Sequence, residues 1–119
     1  MIRYSTAPDS PVVEIAVEGH ITDADLKASI LRLREDLEEN GKTRILEVIH
    51  GFTGMEPRAV WTDVTLGTPL ANKVSRVAVV ADQAWIRAVA HLGRFFTRAE
   101  LKIFEPGELD QARDWIAKD

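Results

Sequence analysis

The sequence predicts an α/β protein with one mixed, mostly parallel sheet and about four helices, in the order β-β-α-β-α-β-α-β-α. Three observations lead there. Arg76-Val77-Ala78-Val79-Val80-Ala81-Asp82 holds five apolar residues in a row, β-branched at three. Without polar alternation both faces of that strand must be covered, as inside a sheet with helices on each side. Leu26, Ile30, Leu33 and Leu37 recur at i, i+4, i+7 and i+11, a single helical stripe between two β-type runs. Finally, 119 residues with 45% hydrophobic and 29% charged side chains suit one domain over 1–119 with a core that needs no staples.

Taken in order, Met1–Tyr4 and Val12–Glu18 read as strands, with a hairpin turn around Asp9 between Pro8 and Pro11 and a stop at Gly19. Thr22 is placed to N-cap the first helix, with Asp23 and Asp25 where the macrodipole favours acids. Asn40-Gly41 ends that helix, and Arg44–Ile49 forms the next strand, so Val12–Ile49 makes a right-handed βαβ unit. Between His50 and Asn72 lie three glycines and two prolines. Pro57 suits the first turn of a short second helix with Val60, Trp61 and Val64 inward, although Val-Trp-Thr-Asp-Val-Thr-Leu-Gly is rich in poor helix formers. A third helix is expected over 83–97, a last strand over Leu101–Phe104 ending before Pro106-Gly107, and a final helix over Glu108–Ala117 with Leu109, Ala112 and Ile116 inward.

Fifteen Lys and Arg against nineteen Asp and Glu give a net charge of −4, which argues against general nucleic-acid binding. With no cysteine, disulfides, thiolate catalysis and cysteine-based metal sites are excluded. His20, His50 and His91 show no metal-ligand spacing, so no metal and no cofactor are expected. The first residues carry no apolar signal-peptide core and no run is long enough to span a bilayer. The expected location is the cytoplasm, with the cationic stripe described below allowing contact with the inner membrane.

The motifs Phe52-x-Gly54, Trp61, Ala78-Val79-Val80-x-Asp82-x-x-Trp85 and Phe104…Ala112-x-x-Trp115-Ile116 resemble the bacterial SpoIIAA-like family, small proteins of the STAS fold. The resemblance covers nearly the whole chain and implies a non-catalytic binding module. In anti-sigma-factor antagonists of this fold a phosphorylatable Ser or Thr follows the third strand in an Asp-Ser-Ser-Gly-like context. Here that region reads His50-Gly51-Phe52-Thr53-Gly54-Met55-Glu56: Thr53 falls close, but the surrounding motif is not matched. Likeness of the group to lipid-carrying Sec14-type domains implies an apolar or amphipathic ligand.

The candidate site residues gather at the carboxyl ends of the strands, where α/β sheets bind ligands. Asp82 suits an N-cap that also lines a pocket. His50 ends its strand on the same rim, so a His50–Asp82 acid–base pair is the enzyme alternative, weakened because no Ser stands in a Gly-x-Ser-x-Gly elbow. Gly51-Phe52-Thr53-Gly54 reads as a glycine-bearing turn before a helix, where backbone N–H groups could hold a phosphate. With Phe52, Trp61, Trp85 and Phe96 as aromatic walls, His50, Phe52, Thr53, Gly54, Trp61, Asp82, Trp85 and Phe96 form the expected ligand set, under a segment able to lift. Arg87, His91, Arg94 and Arg98 line one helix face with no acid between Asp82 and Glu100, a stripe for anionic headgroups or a partner, or simply a solvated face.

The sequence thus supports a binding module for a small apolar ligand with peripheral membrane contact. The alternative is a regulatory protein-interaction module, and an exposed Leu31 leaves room for a homodimer.

Overall fold

A computed structural model describes residues 1–55, 68–82 and 99–118. The described residues form five strands, β1 (Ile2–Thr6), β2 (Val12–Ile21), β3 (Arg44–Met55), β4 (Arg76–Val80) and β5 (Glu100–Phe104). They form one sheet in the order β1-β2-β3-β4-β5. β1 pairs antiparallel with β2, and every other pairing is parallel. Helix α1 (Asp23–Glu39) joins β2 to β3, a 3-10 segment spans Thr68–Lys73, and helix α2 (Leu109–Ala117) follows β5. The mixed α/β sheet expected from the sequence is therefore present, and the helices expected near Pro57 and over 83–97 lie outside the described residues.

The all-apolar run of β4 is covered on both faces. Val77, Val79 and Ala81 pack with Ile45 and Val74 against Leu33 and Leu37 of α1. Ala78 and Val80 point the other way, joining Leu46, Phe104, Ala112 and Ile116 beneath α2. Alternation of side chains along a strand sends successive residues to opposite helix layers, which is why no polar residue interrupts the run. The geometric centre of the sheet is β3, with β4 beside it.

Local signals set the helix ends. The Thr22 hydroxyl accepts from the Asp25 N–H at 3.1 Å, and Gly41 takes φ +71° just past Asn40, where a side chain would be strained. Pro106 opens a 3-10 turn into α2, and the Glu108 carboxylate accepts from the Glu105 N–H at 2.8 Å. The last turn of α2 has no basic residue. Cations from the sheet take that role: Arg44 donates to the carbonyls of Ile116 (2.9 Å) and Lys118 (3.0 Å), and Arg76 donates to those of Trp115 (3.1 Å) and Lys118. The carbonyls at the helix end are thereby tied to the starts of β3 and β4.

A buried polar network, for which the sequence carries no periodic signal, closes the hairpin against α1. Asp36 and Lys42 are buried. The Tyr4 hydroxyl donates to Asp36 Oδ2 at 2.5 Å and Asn40 Nδ2 donates to Oδ1 at 2.8 Å. Lys42 donates from Nζ to the carbonyls of Ala7 (2.7 Å) and Ser10. Burial pushes the Asp36 pKa up, but hydrogen bonds from Tyr4 and Asn40, with the charges of Arg32 and Lys42, outweigh it and hold the carboxyl below its ordinary value. The Tyr4 phenol is raised, first by burial and then by its bond to Asp36.

Candidate functional site

Two of the strands run on past their neighbour. β4 stops at Val80, level with Val48 of β3, whereas β3 continues to Met55, paired with β2 as far as Ile21. A parallel two-stranded ribbon therefore projects at the carboxyl end of the sheet. Its register runs Val17↔Ile49 and Glu18↔His50, then jumps to Gly19↔Phe52 and His20↔Gly54. Gly51 and Thr53 are the extra residues of two successive bulges. Glycines make this shape attainable: Gly19 has φ +68° and Gly51 φ +59°, and Gly54 lies at φ +148°, conformations that side chains resist.

This corrects three sequence expectations. β2 does not stop at Gly19, because positive φ there absorbs a register shift and lets pairing continue. His50 lies inside β3 instead of ending it. Gly51-Phe52-Thr53-Gly54 is bulged strand and not a turn before a helix, so its N–H groups are not arrayed as a helix-terminal phosphate cradle.

The ribbon presents His20, His50, Gly51 and Thr53 as exposed residues. Gly54 faces His20: a Cβ built on it would stand 3.8 Å from His20 Nδ1. His50 and Asp82 each lie two residues past Val48 and Val80, the last pair of the β3–β4 ladder, and both are exposed. Such a pair has the residue types for acid–base work but is not withdrawn from water, which a catalytic pair generally needs. Of the expected ligand set, the structure brings His50, Thr53, Gly54 and Asp82 to one end of the sheet. Phe52 belongs to β3, and its side chain lies outside the described part. Trp61, Trp85 and Phe96, with Arg87, His91, Arg94 and Arg98, also lie outside the described residues, and so do the expected aromatic pocket and the cationic stripe. His20 was not among the expected site residues. The signal available for it was a His beside a Gly in both strands, Gly19-His20 and His50-Gly51.

A depression of about 290 Å³ opens at the opposite end of the sheet, lined by Ser5, Thr6, Ser10, Glu14, Leu46 and Arg113 among others. Arg113 crosses its mouth to Glu14 at 2.8 Å. Its wall combines these hydroxyl and charged groups with the apolar side chains of Ala7, Val12, Leu46, Ile116 and Ala117. Among the described residues, no group of three or more His, Asp or Glu side chains could hold a metal ion, and no helix is long and apolar enough to cross a membrane.

The SpoIIAA-like family model matches residues 12–117. The chain belongs to the SpoIIAA-like family. Solved structures agree with this SpoIIAA-like assignment at the level of the fold. An uncharacterised Shewanella loihica protein with a SpoIIAA-like fold is 24% identical, with a TM-score of 0.72 over 98% of this chain and 92% of that one. The anti-sigma factor antagonist SpoIIAA in its unphosphorylated form is 13% identical, with a TM-score of 0.65 over 95% of this chain and 98% of that one. The phosphorylated form of the Bacillus cell fate determinant SpoIIAA is 10% identical, with a TM-score of 0.65 over 93% and 97% of the two chains. No curated protein matches this SpoIIAA-like chain.

Proposed function

We propose that this SpoIIAA-like chain is a protein-interaction module whose contact surface is the projecting β2–β3 ribbon. The observation that carries the proposal is the bulged, solvent-facing end of β3, where Thr53 is an extra residue exposed beside His50 and opposite the Gly19–His20 segment. Bulges turn side chains out of the pleat and interrupt regular pairing, which re-aims a strand end as a recognition surface. The solved relatives include an antagonist of an anti-sigma factor, a protein named for an opposing protein partner. A phosphate or other anionic group at Thr53 would change the ribbon's charge at its one hydroxyl side chain, which is exposed. That makes Thr53 the position at which regulation would act here.

An apolar ligand under Trp61, Trp85 and Phe96, with membrane contact through Arg87, Arg94 and Arg98, is a proposal supported by sequence alone. The ribbon favours the protein-partner reading over it, because exposed polar side chains around glycine bulges offer hydrogen bonding and shape and little apolar enclosure.

The test is quantitative affinity capture from the native cells with the unaltered chain, Thr53→Arg and Arg113→Ala. A partner retained by the unaltered chain and by Arg113→Ala, and reduced at least about tenfold by Thr53→Arg, is the expected result, corresponding to about 1.4 kcal/mol or more at the interface. Equal recovery by all three would remove the ribbon from the interface.

A further inference from the structure

Helix α1 carries a second surface, on the side away from the sheet. Its core stripe, Leu26, Ile30, Leu33 and Leu37, faces the interior. At 100° per residue Ala24, Ala28 and Leu31 fall within about 60° of one another on the opposite side. All three are exposed, Leu31 by 51%. Two small residues one turn apart, followed by a bare leucine, let a second helix approach closely.

The charges beside that stripe are complementary to themselves. Lys27 lies four residues before Leu31 and Glu35 four residues after it, and both are exposed. Among the described residues neither forms an ion pair, whereas Glu38 is engaged by Lys73 at 3.7 Å and Arg32 lies over the Tyr4 ring at 4.4 Å. We infer that α1 is the contact of a two-fold symmetric homodimer, two copies packing antiparallel with Leu31 on the axis. In that arrangement Lys27 meets the partner's Glu35, Glu35 meets the partner's Lys27, and Ala28 receives the stem of the partner's Arg34. A two-fold axis doubles each favourable pair, as an isologous interface requires. Antiparallel packing also sets each helix's positive end beside the other's negative end. The occupant is therefore a second copy of this chain: a foreign helix would match the apolar stripe but would have no reason to carry the same charges in reverse order.

One leucine and two alanines make a small contact, so the association belongs to the weak class of interfaces. It uses a different surface from the ribbon, and the two readings fail separately. Sedimentation equilibrium over a wide concentration range tests it. The unaltered chain is expected to pass from monomer to dimer with rising concentration, and Thr53→Arg to behave identically. Leu31→Asp, at a position too exposed to be needed for folding, should remain monomeric throughout. Lys27→Glu should weaken the dimer about tenfold or more, and Lys27→Glu combined with Glu35→Lys should restore it to within about threefold. A monomer at every concentration, a dimer insensitive to Leu31→Asp, or a double reversal that fails to restore association would each overturn the inference.

Discussion

Leu46→Ala should lower the unfolding free energy by about 3–5 kcal/mol, read as a fall in urea midpoint with an unchanged denaturant slope. Leu46 is 1% exposed and lies where β3 meets α2. It is enclosed by Ala78, Val80, Phe104, Ala112 and Ile116. Two of those neighbours are alanines already in close contact, so they cannot extend to fill the space, and the sheet holds the others at fixed register. Leu46 also borders the depression near Arg113 and Glu14, so the vacated space joins that depression and the cost falls within this range. The same substitution at Leu31, exposed on α1, should change stability by less than about 0.5 kcal/mol. Equal losses at the two sites would mean that the α2 layer is not the packed half of the core.

Asp36→Ala is the second large effect, about 2–4 kcal/mol. It removes the acceptor of both Tyr4 and Asn40 and leaves the buried Lys42 without the nearby negative charge. Because the folded Asp36 carboxyl titrates below its ordinary value, its contribution is fully present above the unfolded-state pKa of about 3.9. That contribution is lost as pH falls through the depressed folded value. Urea titrations from neutral pH down to this region should therefore show the gap between the unaltered chain and Asp36→Ala narrowing only at the acid end. A gap that stayed constant through that range would show that the carboxylate charge is not what stabilises the hairpin against α1.

How legible the fold was depended on whether the information lay in a local period. The α1 stripe and the apolar run of β4 are periodic or uniform over a few turns or residues, and both took the places their patterns required. The ribbon was misread because Gly19, Gly51 and Gly54 look like strand breakers when no partner strand is in view. Paired side by side, their positive φ values become the means of continuing the strands through two bulges. The resemblance through Phe52-x-Gly54 and Ala78-Val79-Val80-x-Asp82 identified the family, yet it could not say that Thr53 sits in a strand. Asp36 and Lys42 gave no signal because their partners are remote: Tyr4 is 32 residues from Asp36, and Ala7 is 35 residues from Lys42. Within the helical pattern Asp36 looks like one more solvated acid. Only the hairpin, folding back on the end of α1, makes it a buried acceptor.

Thr53 and His50 reached the same rim as Asp82 because a parallel register carries strand ends to one side of a sheet. That much of the candidate site follows from topology. Its chemistry is a matter of what touches the ribbon, and native mass spectrometry of the chain isolated from its own cells reads this most directly. The account predicts an added mass of protein size, stoichiometric with the chain or its dimer, and absent from Thr53→Arg. A small apolar adduct that solvent extracts, equally present in Thr53→Arg and with no protein bound, would contradict it and make the chain a ligand carrier.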